Sequence, residues 1–578
     1  MDQANLTIWG RAMMKMGVGA SSLALLVALA ACDGKDGGAV VTPTPTPTPA
    51  TTAAFLPAAG ETAAYKDTLL KLTFDGAPVI TGIGTIRVYK SDGTLVDKID
   101  TSANVVVAGG ETQGAIGAPN TEIDKIGNGV PSLTQYRYTY YRPIRIAGNT
   151  VTIKLHDNVL AYDTSYYVQI DQSVFNGPFR GAGSFPGISG ATEWTFRTRA
   201  APASTTNITV DDDGAADFRS VQGALDYVMT TGCLSCPGAA AAKTVTIRNG
   251  IYDEQLFLRN VSNLTITGES RAATIVQNNN WEAFNPGTGG SRAAPNTSFS
   301  NIGGTAALGN RLALGGGRAL MLIEGGDLIK LTNFTMVNTH VKDPTQNSQA
   351  EVIYYNSASL NGSRFIGTDM NFIGTQDTLQ MKGWVWIYNS LIAGDVDFIW
   401  GYPYAMAIEN SELRTVADPS APASGGYIFQ ARSAKGYPGF VVLGGSLTAA
   451  SGVPNGATYL ARSGGVTQAQ GYCTTMLAPG GGSPGNANLY CDNVAYVGVR
   501  MGDHIAPGGW FINPVPNLLP TATEGWRESG SLTASGAPLS LAGRETRYAT
   551  SNADLSSRNT RAKVFAQWNG NVGWNPQP

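Results

Sequence analysis

Charge is what this chain has least of. Only 14% of its 578 residues are Asp, Glu, Lys or Arg, against roughly a quarter in an ordinary soluble domain. The 39 basic and 42 acidic side chains leave a formal charge of −3. There is no basic field to gather nucleic acid, and no nucleic-acid partner is expected. An acidic polymer would have to be held by local contacts. Histidine is rarer still: His156, His340 and His504 are scattered, and the Cys233/Cys236 pair has no second C-x-x-C. A zinc or redox centre therefore lacks its ligands, and no metal or cofactor is expected. The apolar run SSLALLVALAA at 21–31 is too short for a good membrane span. What is abundant is glycine, 71 residues, with 43% hydrophobic content. That combination suits a turn-dense, exported all-β protein, and the length suits two or three domains.

The N-terminus reads as targeting rather than fold. Arg11 and Lys15 precede the apolar run, and Leu29-Ala30-Ala31-Cys32 resembles a bacterial lipobox. Residues 1–31 are expected to be a lipoprotein signal peptide, with Cys32 lipidated. The expected location is the bacterial cell envelope, outer membrane or cell surface, with the membrane reached through that lipid anchor. Residues 32–52 form a tether whose TPTPTPTPA repeat, 42–50, is extended and semi-rigid. In an exported protein the remaining cysteines are expected to form structural disulfides. The expected pairs are Cys233–Cys236 as a loop clamp and Cys473–Cys491 across neighbouring coils.

Residues 53–200 carry alternating runs at 69–75, 85–93, 150–157, 164–171 and 192–199, separated by turn signals. They predict a small β-sandwich and resemble bacterial Ig-like domains. No catalytic grouping occurs there, and the aromatic stretch 135–143 reads as a packed strand. Around 218–230, Val221, Ala224, Leu225 and Val228 mark one apolar helix face, fit to cap the open end of a solenoid. Beyond it the chain repeats an apolar strand, an Asn- or Gly-led turn and another strand. Asn371, Asn389 and Asn410 are read as equivalent turn residues. A right-handed parallel β-helix over 205–578 is the natural architecture. The insertion 277–318, with Trp281, Phe284 and Phe299, is too long for a passive connection and reads as a wall or lid of a groove.

Asp377 and Asp397 lie 20 residues apart. In a solenoid with a coil of about that length they stack on neighbouring strands about 4.8 Å apart. One carboxylate could then attack a carbonyl while the other handles protons. GTQDTL (374–379) and VDFIWG (396–401) resemble the two central signatures of pectin methylesterases. VDDDGAADFRSVQGALDYV (210–228), TIRNGIYDEQL (246–256), NSQAEV (347–352), YIFQAR (427–432), YLAR (459–462) and MGDHIAPGGW (501–510) are similar to further family segments, in order. The resemblance implies hydrolysis of pectin methyl esters by an aspartate nucleophile, with homogalacturonan as the partner and the protein a monomer. It implies Asp397 as nucleophile, Asp377 as acid and later base, Gln349 and Gln376 as oxyanion donors, and Arg462 as the clamp on Asp397. Trp400, Trp510 and Tyr252 are the expected substrate-binding residues, and Asp395 is the reserve nucleophile. One departure stands out. Where the family continues its arginine with Pro-Trp, this chain has Ser463-Gly464.

Rival chemistries fit less well. The G-x-S-x-G at 481–485 lacks a strand-to-helix context. Paired carboxylates also serve glycosidases, but the Gly-His-Gly and Arg-Ile-Lys signatures of polygalacturonases are missing. A calcium-dependent lyase needs a denser acidic cluster. A β-helix esterase or thioesterase on another acyl substrate, or a non-catalytic carbohydrate-binding lipoprotein, are the alternatives. His504 and His340 read as structural residues.

Overall fold

The structure, a computed structural model, describes residues 54–101, 120–126, 137–285, 292–293, 313–314, 317–464, 491–513, 515–516, 521 and 523–578. Cys32, Phe299, Cys473 and the 481–485 motif lie outside the described residues.

From 207 onward, parallel strands coil through three faces, and the architecture is a parallel β-helix. The face that matters for chemistry shows how alternation sorts side chains. Its inward column runs Leu256, Met321, Ile353, Leu379, Ile399, Phe429, Ala461 and Trp510, each paired with the next. All eight are buried in one continuous core. Side chains alternate across a strand, so the next residues form an outward column: Tyr354, Gln380, Trp400, Gln430, Arg462 and Phe511.

Between the second and third faces the backbone turns through left-handed residues. These are Asp369 (φ 57°), Asn389 (φ 48°) and Asn410 (φ 48°), residue types whose short polar side chains tolerate that region. The turns stack, since Asp369 N–H donates to Tyr388 O at 3.1 Å and Asn389 N–H to Glu409 O at 3.2 Å. The expectation for Asn371 is corrected by two positions. Asp369 makes the turn, and Asn371 opens the strand Asn371–Ile373, accepting a hydrogen bond from Arg271 Nε at 2.9 Å.

The second face is covered on its outside by the C-terminal segment. Trp384, Trp386 and Tyr404 pack beneath Leu555, Val564 and Phe565. Trp384 is therefore a packing residue, stacked on Tyr404 at 5.1 Å.

Residues 54–199 form two antiparallel-rich sheets of four and five strands around a separate core. The helix Val221–Thr231 caps the first coil, with Val221, Ala224, Leu225 and Val228 wholly buried. Every early N–H of this helix finds an acceptor. Ser220 Oγ accepts from Gly223 N–H at 3.0 Å, and Glu254 accepts from Val221 and Gln222, both at 2.9 Å. Asp67, from the sandwich, accepts from Ser220 N–H at 2.7 Å and Arg219 N–H at 2.9 Å. A hairpin, Glu122–Ile126 with Arg137–Tyr141, extends the seam. Tyr140 exchanges backbone hydrogen bonds with the Asn285 amide at 2.6 and 2.9 Å. Cys233 and Cys236 are joined by a disulfide beside the cap, and Cys491 is also disulfide-bonded.

The same seam buries two carboxyl groups against each other, Asp157 of the sandwich and Asp226 of the helix. Burial pushes Asp226 up to about 6, and burial followed by repulsion from Asp226 raises Asp157 further. Both hold protons more tightly folded than unfolded. Their contribution to stability is therefore complete below the ordinary carboxylate value and is lost as pH rises through about 6. Asp226→Asn cannot ionise, so its melting temperature should fall less than the wild type's between pH 5 and pH 8. Parallel curves for the two proteins would show that the pair does not titrate at the seam.

Candidate active site

Asp377 and Asp397 occupy the bend where the third face turns into the first. Both have left-handed backbones, with φ of 64° and 51°. That conformation costs a non-glycine residue about 1 kcal/mol or more, and the surrounding ladder compels it. Asp377 N–H donates to Val396 O at 3.0 Å and Asp395 N–H to Thr375 O at 3.0 Å. In a parallel ladder an N–H bonds the residue before its partner, so Asp377 stands directly beside Asp397.

The same rule places the two glutamines. Ala350 N–H donates to Gln376 O at 3.1 Å, which sets Ala350 beside Asp377 and Gln349 beside Gln376. Their long separation in sequence does not disturb the site. Ile353 pairs with Leu379 while Phe365 pairs with Val385, so the extra residues loop out between Asn356 and Arg364. The side-chain oxygen of Gln349 is buried with no hydrogen-bond partner.

Each aspartate has its own arginine. Arg462 grips Asp397 with both prongs, Nε to Oδ1 at 2.6 Å and Nη2 to Oδ2. Gln430 Nε2 adds a third hydrogen bond to Oδ2 at 2.8 Å. Three donors thus converge on one buried carboxylate. Among the described residues Asp377 receives one, from Arg318 Nη2 at 2.9 Å. Burial above all, then the nearby Glu351 and Asp397 charges, raise Asp377 well above the usual carboxylate range, against the pull of Arg318 and Arg432. The two carboxyl groups are thus held unequally, Asp397 by three donors and Asp377 by a burial that favours its protonated form.

Arg318 is itself surrounded by acids. It meets Glu351 through Nε at 2.8 and 2.9 Å and through Nη2 at 2.6 Å, and Glu282 through Nη1 at 3.1 Å. Glu282 and Arg318 come from opposite ends of the 277–318 insertion. The aromatics at its start also pack inward. Trp281 stacks on His340 at 4.7 Å and on Phe284 at 5.2 Å.

The expected site residues divide clearly. Arg462 and Asp397 meet through their side chains beside Asp377, and the backbone register sets Gln349 and Gln376 next to them. Trp400 joins them on the outward column, with the Arg432 guanidinium 5.6 Å and the Arg318 guanidinium 5.9 Å from its ring. Trp510 does not. Alternation turns it inward, where it stacks on Trp526 at 5.3 Å, and its neighbour Phe511 faces out beside Arg462. Tyr252 is also buried, its hydroxyl donating to Arg248 O at 3.1 Å on a strand of the nine-stranded face. Both are corrected from binding to packing. Asp395 points away to Lys342, 3.2 Å distant and shared with Asp418, and burial raises it to about 6. His504 and His340 are both lowered to about 4 by burial and stay neutral.

Four participants escaped the sequence reading: Arg318, Glu351, Glu282 and Gln430. Glu351 and Gln430 sat inside recognised segments, two residues from Gln349 and from Arg432. Arg318 follows a glycine run with no periodic signal. Near Arg462, Tyr427, Tyr459 and Phe511 form a mutual cluster, with ring separations of 4.9 Å from Phe511 to each tyrosine. The Arg462 guanidinium lies 4.6 Å from the Tyr427 ring.

No family model matches the chain. A pectinesterase from Ralstonia nicotianae is 26% identical over 314 residues, 52% of this chain and 72% of that protein. A pectinesterase from Ralstonia solanacearum is 25% identical over the same shares. Among solved structures, the pectin methylesterase from Erwinia chrysanthemi aligns with 63% of this chain and 98% of its own, at 20% identity and a TM-score of 0.43. The carrot pectin methylesterase aligns over 64% and 94%, at 17% identity and 0.42. The fold assignment rests on the chain's own ladders.

The correction at Trp510 has a direct test. Trp510→Ala empties a core position and should cost about 3 kcal/mol or more. Phe511→Ala, on the outward column, should cost about 1 kcal/mol or less. Denaturant melts of the two variants, if equal, would return Trp510 to the groove.

Proposed function

We propose that the chain is a pectinesterase, an ester hydrolase that releases methanol from methylated homogalacturonan and leaves pectate. The observation that carries this reading is the asymmetric pair: Asp397 held by Arg462 on two prongs, beside an Asp377 that burial keeps protonated. The curated relatives named pectinesterase supply the substrate class.

In this reading each residue has a step. Asp397 attacks the ester carbonyl carbon, and the carbonyl π pair moves onto oxygen. The amides of Gln349 and Gln376, side by side on the bend, stabilise that oxyanion. Collapse breaks the bond to the methoxy oxygen, which leaves as methanol with the proton of Asp377. The acyl group is now an anhydride on Asp397. Water attacks it, giving a proton to the Asp377 carboxylate, and the acid product departs with Asp397 restored. Arg462 serves both halves by stabilising the carboxylate that attacks and then leaves.

A second reading concerns the acyl substrate. The Tyr427/Tyr459/Phe511 cluster beside Arg462 gives the groove a different lining from the Pro-Trp expected there. An ester or thioester of another acid would fit the same chemistry. Initial rates on methylated homogalacturonan, acetylated polymer and a thioester decide between them.

The envelope location belongs to this proposal too. With Cys32 lipidated and the tether at 32–52, the groove would work at a membrane-held surface. Cys32→Ala should release soluble protein, and a mature N-terminus mapped anywhere but Cys32 would remove the anchor.

For the chemistry, Asp397→Ala should abolish both turnover and covalent trapping, read by mass spectrometry after an acid quench. Asp377→Asn should lose at least about 100-fold in turnover but still accumulate acyl-enzyme from an ester with a good leaving group. Arg462→Lys keeps the charge and loses the fork, so its rate should fall substantially. Adduct on the Asp397→Ala protein at near wild-type turnover would move the nucleophile to Asp395.

A further inference from the structure

An acid catalyst beside an arginine is a contradiction on its face. A guanidinium within hydrogen-bond reach ordinarily holds a carboxyl ionised, and an ionised Asp377 could not protonate methoxide. The structure places Arg318 Nη2 2.9 Å from Asp377 Oδ2. How the remaining donors of Arg318 are used resolves the conflict. Its Nε and the second Nη2 hydrogen go to Glu351, which is 0% exposed, and Nη1 goes to Glu282, 6% exposed. Arg318 itself is 5% exposed, so little water screens these charges.

We propose that Arg318 is the positioning residue for the acid, and that Glu351 and Glu282 cancel its charge so that it orients Asp377 without ionising it. This deepens the esterase reading and rests on it for the word "acid". The charge count supports the division. One guanidinium faces three carboxyl groups, and the closest geometry, a two-pronged pair, belongs to Glu351. Among the described residues Asp377 gets a single directed hydrogen bond. The other groups facing Asp377 are Asp397, Arg432 and Arg462, and Arg462 is bound to Asp397. The proton therefore resides at Asp377.

The arrangement also gives the 277–318 insertion a chemical role. Its first turn supplies Glu282 and its last residue Arg318, which tie both ends of the excursion to the acid. Glu282 N–H donates to Gln349 O at 2.9 Å, so the segment reaches the neighbouring coil as well.

Substitutions on the two sides of Arg318 must shift Asp377 in opposite directions. Glu351→Gln, nearly isosteric, leaves the guanidinium uncompensated, and the Asp377 titration midpoint should fall by about one pH unit or more. Glu282→Gln should move it the same way, by less. Arg318→Met removes the positive neighbour, so the midpoint should rise while turnover drops through lost orientation. The readout is carboxyl ¹³C NMR of aspartate-labelled full-length protein, with the Asp377 signal assigned by its loss in Asp377→Asn. It needs no substrate. The alkaline limb of the methanol-release pH profile should follow the same shifts. Midpoints that stay fixed, or that move the same way in Glu351→Gln and Arg318→Met, would overturn the proposal. Absence of ester hydrolysis by the wild type would instead overturn the esterase reading, and the titration would still decide the positioning claim.

Discussion

One backbone hydrogen bond underlies the site: Asp377 N–H to Val396 O, at 3.0 Å. It locks the two bends in register and sets the aspartates side by side, each in a backbone conformation that few residue types accept. Once two carboxyl groups are held that close in a buried place, they cannot both ionise cheaply. Everything around them treats the two unequally. Arg462 and Gln430 direct three donors at Asp397, whereas Asp377 receives one from an arginine already engaged by two glutamates. The chemistry is a consequence of unequal solvation of an otherwise symmetric pair.

The architecture was legible because a solenoid writes its period into the sequence. The 20-residue separation of Asp377 and Asp397, the cap helix face and the run of short apolar strands were each sufficient to predict a local feature found in the structure. The sequence misleads where an offset of one or two residues decides the outcome. The turn expected at Asn371 is made by Asp369, and the groove position expected of Trp510 goes by alternation to Phe511. A motif marks a neighbourhood, but facing depends on strand register, and register is decided by pairing with the next coil. Tyr252 failed for the same reason.

The charge network was illegible for a different reason. Arg318 meets Asp377 from 59 positions away, through an insertion without periodicity, and nothing local in GGGRAL distinguishes it from an exposed loop arginine. Long-range ion pairs leave no trace in a single sequence unless a repeat carries them. Glu351 was nearer to recognition, since a charged residue just ahead of the apolar strand Ile353–Asn356 has to find a partner when buried.

The looped-out residues between Asn356 and Arg364 show what this fold leaves free to change. The catalytic spacing is the rise between coils, a constant of peptide geometry that no side-chain substitution can stretch. Inserted chain leaves the helix at its corners and returns in register, as it does there. Descent with variation in such a protein is thus channelled into the corners. New substrates would be acquired by growth of loops around a reaction centre that heredity cannot easily detune.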